Sequence, residues 1–194
     1  MKQILIISGP TGSGESTVTK LLLKKYPIFK RLVTATTRAP RLNEKNGRDY
    51  YFFSNEEFKK LIKENKIIEY TYIKNRKTYY GTYLPDLTGK LKRGYNVVAN
   101  TDYIGTKFYK KHYDAVSIFI KAESLAAIKN RLLNRQPDMA PLELAKRLAN
   151  AKKEIKQEEK YYQYTVINKE DKLFQTLKQI LAILKKEGYL LKKK

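Results

Sequence analysis

Apolar and polar positions along this chain follow two periods. Ile4, Leu5, Ile6 and Ile7 form an unbroken apolar run that stops at Gly9 and Pro10, as expected of a strand covered on both faces. Val18, Leu21, Leu22 and Leu23 follow at helical spacing before Tyr26 and Pro27, so the chain opens as strand, Gly-rich turn and helix. Further strands are predicted near 32–35, 95–99, 116–120 and 165–167. Helices are predicted ending at Arg93 and Gly94, following Thr101 and Asp102, over 125–133, from Pro141 to about Tyr161, and through Phe174, Leu177, Ile180, Leu181 and Leu184. Strands alternating with helices predict an α/β fold of three layers, with a parallel sheet at its centre.

Residues 36–85 break that rhythm. Short β-prone pieces at 50–53, 67–72 and 77–82 surround a helix at 56–64 that Ser54 or Asn55 can cap. The expected organisation is a core of residues 1–35 and 86–194 with an inserted β-rich lobe at 36–85. A polar interruption at 134–138 suggests a mobile lid of about 134–147.

Composition narrows the chemistry. The 194 residues contain no Cys and a single His, His112, which removes thiol catalysis, disulfide frameworks and multi-histidine metal clusters. The apolar run at the start is too short for a signal peptide and no run approaches a membrane span, so a cytoplasmic protein without membrane contact is expected. A net charge of +22 from 41 Lys and Arg against 19 Asp and Glu favours anionic ligands. Charge alone gives no specific nucleic-acid partner, because many lysines fall on helix surfaces and in the tail of Lys192, Lys193 and Lys194.

The sharpest local feature is the run Gly9, Pro10, Thr11, Gly12, Ser13, Gly14, Glu15, Ser16, Thr17 between a predicted strand and helix. Glycines let backbone N–H groups wrap a phosphate, the helix N-terminus adds partial positive charge, and a hydroxyl at Ser16 suits Mg²⁺. The lysine such a loop normally carries is replaced by Glu15. A second feature is Thr34, Ala35, Thr36, Thr37, Arg38, Ala39, Pro40, Arg41, followed by Glu44 and then Gly47, Arg48, Asp49 and Tyr50.

Together these segments resemble the guanylate kinase family, and the resemblance runs from Ile4 through the terminal helix. It implies a P-loop kinase core, a GMP-binding lobe, a helical lid, and transfer of the γ-phosphoryl group of ATP to GMP with Mg²⁺. It places Gly9, Thr11, Gly12, Ser13, Gly14, Glu15, Ser16 and Thr17 on the ATP side, with Ser16 toward the metal and Asn168 near the adenine. It makes Arg38, Arg41, Tyr50 and Tyr80 a clamp for the GMP phosphate, a task suited to planar cations and neutral hydroxyls. Glu69, Asp102 and Thr34 match base-reading positions, with Thr34 in place of the more usual Ser, and Thr82 matches a hydroxyl near the base. Arg131, Arg135 and Arg147 match lid cations that reach the ATP phosphates and the transferred group. Asp102 also reads as a helix N-cap, and Asn168 as a strand-end turn residue.

Two departures fall on the ATP and metal side. Glu15 replaces the family's lysine, and a carboxylate about 4 Å from a phosphate charge repels it by roughly 4 kcal/mol at an effective dielectric near 20. Asn100 stands where many members carry an acid. Mg²⁺ bridging Glu15 to the phosphates and a lid arginine in the vacated position both remain open as compensations. The expectation is a guanylate kinase impaired at Glu15, or alternatively an inactive GMP-binding or interaction module of the same fold.

Overall fold

The structure, a computed structural model, describes residues 2–191; the basic tail of Lys192, Lys193 and Lys194 lies outside them. In chain order the first half comprises β1 (Ile4–Ser8), α1 (Glu15–Lys25), β2 (Phe29–Arg31), β3 (Ala35–Thr36), β4 (Tyr51–Phe52), α2 (Asn55–Lys63), β5 (Ile67–Ile73), β6 (Thr78–Tyr83) and α3 (Leu84–Lys92). The second half comprises β7 (Asn96–Ala99), α4 (Tyr103–His112), β8 (Val116–Ala122), α5 (Leu125–Arg135), α6 (Pro141–Glu158), β9 (Tyr164–Asn168) and α7 (Leu173–Lys186). No helix among the described residues is long and apolar enough to cross a membrane. Two compact units result, one of Met1–Phe29 with Val98–Lys194 and one of Lys30–Val97.

A five-stranded sheet runs in the order β2-β7-β1-β8-β9. In the first unit β1 and β8 pair in parallel from Leu5 opposite Val116 to Ser8 opposite Phe119, and β8 pairs in parallel with β9. The pleat turns Leu5, Ile7, Val116, Ile118 and Ile120 to one face, where they pack with Val18 and Leu22 of α1 and Leu177, Ile180 and Leu184 of α7. Phe119 points to the opposite face, where its ring packs against that of Tyr162 at a tilt of 45°, centroids 5.0 Å apart. Helices on both faces are the reason β1 and β8 read as continuous apolar runs, and the expected three-layer α/β arrangement is what forms. Both ends of this unit are tied together: Lys2 donates to Glu187 at 2.5 Å, and the Tyr189 hydroxyl donates to the Ile4 carbonyl.

The second unit holds a four-stranded sheet ordered β4-β3-β6-β5, with β5 and β6 an antiparallel hairpin and Ala35, Phe58 and Ile67 at its core. Helix α2 starts at a reciprocal cap, in which Ser54 accepts from the Glu57 amide at 3.1 Å and Glu57 accepts from the Ser54 amide at 2.7 Å. The strand expected at 32–35 is instead two short strands, β2 and β3, with Leu32, Val33 and Thr34 between them. The physical reason is that the Val33 amide leaves the ladder and donates to Asp86 of α3 at 3.0 Å. The Asp86 carboxylate also accepts from Lys90 and from the Tyr51 hydroxyl, and Lys90 reaches the Arg31 carbonyl at 2.7 Å.

The Asp86 and Lys90 side chains are only 7% and 13% exposed, so removing one partner strands the other. Asp86→Ala is expected to destabilise the protein by about 3 kcal/mol in urea unfolding. Asp86→Asn, which still accepts from Val33, is expected to cost less.

Candidate functional site

In the first unit, the turn from β1 into α1 depends on Gly12 and Gly14, whose φ values are +81° and +88°. A Cβ on Gly14 would also collide with the Asn168 amide, so only glycine fits there. The carbonyls of this turn are engaged from behind. Asn168 Nδ2 donates to the Ser13 carbonyl at 2.9 Å, while Arg131 donates to the Gly12, Ser13 and Asn168 carbonyls at 3.3, 3.2 and 2.8 Å. Thr176, buried on α7, donates to Asn168 Oδ1 at 2.9 Å and so decides which end of that amide meets the loop. The Glu15 amide, the first of α1, donates to Ser13 Oγ at 3.3 Å. A cavity of about 370 Å³ lies there, lined by Gly9, Thr11, Gly12, Ser13, Gly14, Glu15, Ser16, Thr17, Arg131 and Arg135, among others.

Glu15 begins α1. Its carboxylate accepts from the Asn100 amide and from the Ser16 hydroxyl, the latter at 3.2 Å. The two hydrogens of that Asn100 nitrogen are shared among Glu15, the Ile7 carbonyl at 3.0 Å and Thr19 Oγ1 at 3.2 Å. Glu15 and Asn100 also line a second cavity of about 330 Å³ with Asp102, Glu154 and Glu158. Burial, and then the neighbouring Glu158, push the Glu154 carboxyl above its ordinary range; burial and Asp102 do the same to Glu158. Asp102 caps α4, its Oδ1 accepting from the Ile104 and Gly105 amides at 3.0 Å each. Arg147 lies on α6 and pairs with Glu143 at 2.7 Å; it does not line the loop cavity.

In the second unit, Arg38 sits 5.4 Å above the Tyr50 ring, and the Tyr50 and Tyr80 rings are 6.0 Å apart. The Arg38 guanidinium is paired with Glu44 at 2.9 Å, and the same carboxylate accepts from the Arg41 amide at 2.8 Å. That amide, and then Arg38, hold the Glu44 carboxyl below the usual range. Nearby on the sheet, Thr82 Oγ1 donates to Glu69 at 3.2 Å. The β5 and β6 register slips between Ile67 and Tyr70, a bulge that re-aims the side chain of Glu69. Gly81 permits it, since a Cβ there would lie 2.7 Å from the Glu69 carbonyl. Thr34 is half-buried, and its carbonyl accepts from the Tyr51 amide at 2.8 Å.

The family model described as guanylate kinase matches residues 1–187. The chain belongs to the guanylate kinase family. Guanylate kinase of Protochlamydia amoebophila is 37% identical over 179 residues, spanning 92% of this chain and 89% of that relative. Guanylate kinase of Rickettsia prowazekii is 39% identical over 182 residues, spanning 93% and 89%. The crystal structure of guanylate kinase from Anaplasma phagocytophilum superposes with a TM-score of 0.71 at 29% identity, covering 99% of this chain and 89% of that one.

Thr176 escapes the reading of the sequence, and Glu44, which stands in the quoted motif, is given no role there. Each left a signal: Thr176 is a polar residue beside Leu177 on the apolar stripe of α7, and Glu44 is an acid between Arg38, Arg41 and Arg48 in a basic stretch. In this family member Thr176→Val is expected to cost about 1 kcal/mol of stability and to speed hydrogen exchange of the amides at 12–16. Thr176→Ser, which keeps the donor, should leave both unchanged.

Proposed function

We infer that the protein is an enzyme that transfers a phosphoryl group from ATP to GMP, giving ADP and GDP. The observation that carries this reading is family membership over nearly the whole chain, at 37% and 39% identity to curated guanylate kinases. An inactive binding module is disfavoured by that same similarity. The partners are the two nucleotides, and the reading includes a cytoplasmic location.

In this reading ATP lies with its phosphates on the loop of the first unit, where the α1 amides, Arg131 and Arg135 meet its negative charge, and Asn168 stands beside the adenine. GMP belongs to the second unit, with Arg38, Arg41, Tyr50 and Tyr80 on its phosphate. Glu69 accepts from the N1 and N2 donors of guanine, the hydroxyl of Thr34 serves O6, and Thr82 is a further hydroxyl near the base. Asp102 and Arg147 complete the set assigned from the family. The bond between the γ-phosphorus and the β-bridging oxygen breaks as a GMP phosphate oxygen bonds to that phosphorus. No proton need move to start the step, so the absence of a buried His or Cys pair is no obstacle. Fixed cations and amides stabilise charge spread over the equatorial oxygens.

Guanylate kinases use ATP with a divalent metal, generally Mg²⁺. The exposed Ser16 hydroxyl and the Glu15 carboxylate beside it are hard oxygen donors of the kind Mg²⁺ takes together with phosphates and water. They fit such an ion, and Ser16 would hold it. When bound, the ion neutralises charge on the phosphate oxygens.

A coupled assay of ATP-dependent GDP formation tests the assignment directly; absence of turnover with intact folding would overturn it. Arg38→Ala and Arg41→Ala are each expected to weaken GMP binding by about 1.5 to 3 kcal/mol, and Tyr80→Phe by less, in calorimetric titration. Glu69→Gln is expected to relax discrimination between GMP and AMP, because an amide presents a donor toward groups that also donate. Unchanged discrimination would remove Glu69 from the base-reading role.

A further inference from the structure

We propose that Glu15 is a ligand of the divalent cation that accompanies the donor triphosphate, and that Asn100 is the positioning residue that holds its carboxylate for that role. The proposal rests on the assignment of ATP to the loop of the first unit. Glu15 lines the cavity formed by that loop, and a carboxylate at that place repels a bare triphosphate. The fold does not turn the carboxylate away. It holds it there through the Asn100 amide, itself anchored on the Ile7 carbonyl and Thr19 Oγ1.

An amide at position 100 can donate to Glu15, whereas an acid would set two carboxylates against each other. The two departures noted in the sequence, 85 residues apart, are therefore one arrangement. Arg131 donates to the loop carbonyls. Asp102, Glu154 and Glu158 line a cavity that Glu15 shares, so the carboxylate stands among other acidic side chains. Glu15 Oε2 lies 3.2 Å from Ser16 Oγ, which puts two hard oxygen donors side by side.

Among the described residues, no three acidic or histidine side chains gather closely enough to hold a metal by themselves. The protein thus supplies part of a coordination shell that phosphate oxygens and water must complete. Metal and nucleotide bind together, and Glu15 makes the nucleotide's affinity depend on the metal. This differs from a loop lysine, which attracts the triphosphate with or without the ion.

The test is calorimetric titration of a non-hydrolysable ATP analogue into the full chain, once with Mg²⁺ and once with EDTA, the ratio of the two affinities being the readout. Glu15→Gln is expected to weaken binding about tenfold in Mg²⁺ and to strengthen it in EDTA, so that the ratio collapses. Asn100→Asp should lower the ratio as well. The double variant Glu15→Gln with Asn100→Asp, which exchanges carboxylate and amide, should regain part of it, an effect that loss of packing alone would not produce. Electron paramagnetic resonance with Mn²⁺ provides a check on the parent chain, in which the ion should bind tightly only when the analogue is present.

If Glu15→Gln strengthened binding equally under both conditions, Glu15 would be a repulsive defect and the proposal would fall. An unchanged ratio in Glu15→Gln would have the same consequence. If the parent bound the analogue under neither condition, the assignment of ATP to this loop would fail and the proposal with it, a result distinguished by the absence of any analogue titration at all.

Discussion

A loop whose amides must face a phosphate has to surrender its carbonyls to something else. In the first unit that task falls to Arg131 and Asn168, which take up the Gly12 and Ser13 carbonyls from behind, and to Thr176, which orients the Asn168 amide. The positive φ values of Gly12 and Gly14 let the backbone turn there, and those donors engage the carbonyls that the turn leaves behind. The layers around the loop serve this arrangement: α7 brings Thr176, β9 ends in Asn168, and α5 brings Arg131. A change in any of these helices or strands is felt as a change in the direction of amides many residues away in sequence.

In the second unit an acidic side chain holds the stretch from Arg38 to Arg41. Glu44 accepts from the Arg38 guanidinium and the Arg41 amide at once, so it fixes the approach to both in the absence of another anion. The Arg38 guanidinium is thereby already oriented over the Tyr50 ring. In the proposed reading, a GMP phosphate at Arg38 would compete with Glu44, and the net gain would be a difference between two anions.

The loop and the alternating strands were legible because a buried apolar run and glycines at a strand end admit few alternatives. The break between β2 and β3 was not, because Leu32 and Val33 are apolar and the group that draws the Val33 amide out of the ladder is Asp86, 53 residues later. Glu69 could be named from its place in a family pattern, but the bulge that re-aims it depends on pairing with β6, which no local window contains. Glu15 and Asn100 each read as a separate loss; their contact is a tertiary fact. Thr176 hid for the opposite reason, since a single hydroxyl on an apolar helical stripe is compatible with ordinary packing.

The first unit is assembled from two separated stretches of chain, whereas the second is one continuous stretch. During synthesis β1 emerges early yet pairs with β8, whose residues follow more than a hundred positions later, so its hydrogen-bonding edge must wait on the ribosome. The stretch of Lys30–Val97, by contrast, is complete and can form its hairpin and its Asp86 network while that wait continues. Ile4, Leu5, Ile6 and Ile7 are then an apolar strand made long before its partner β8, an open edge of the kind that pairs wrongly when left waiting.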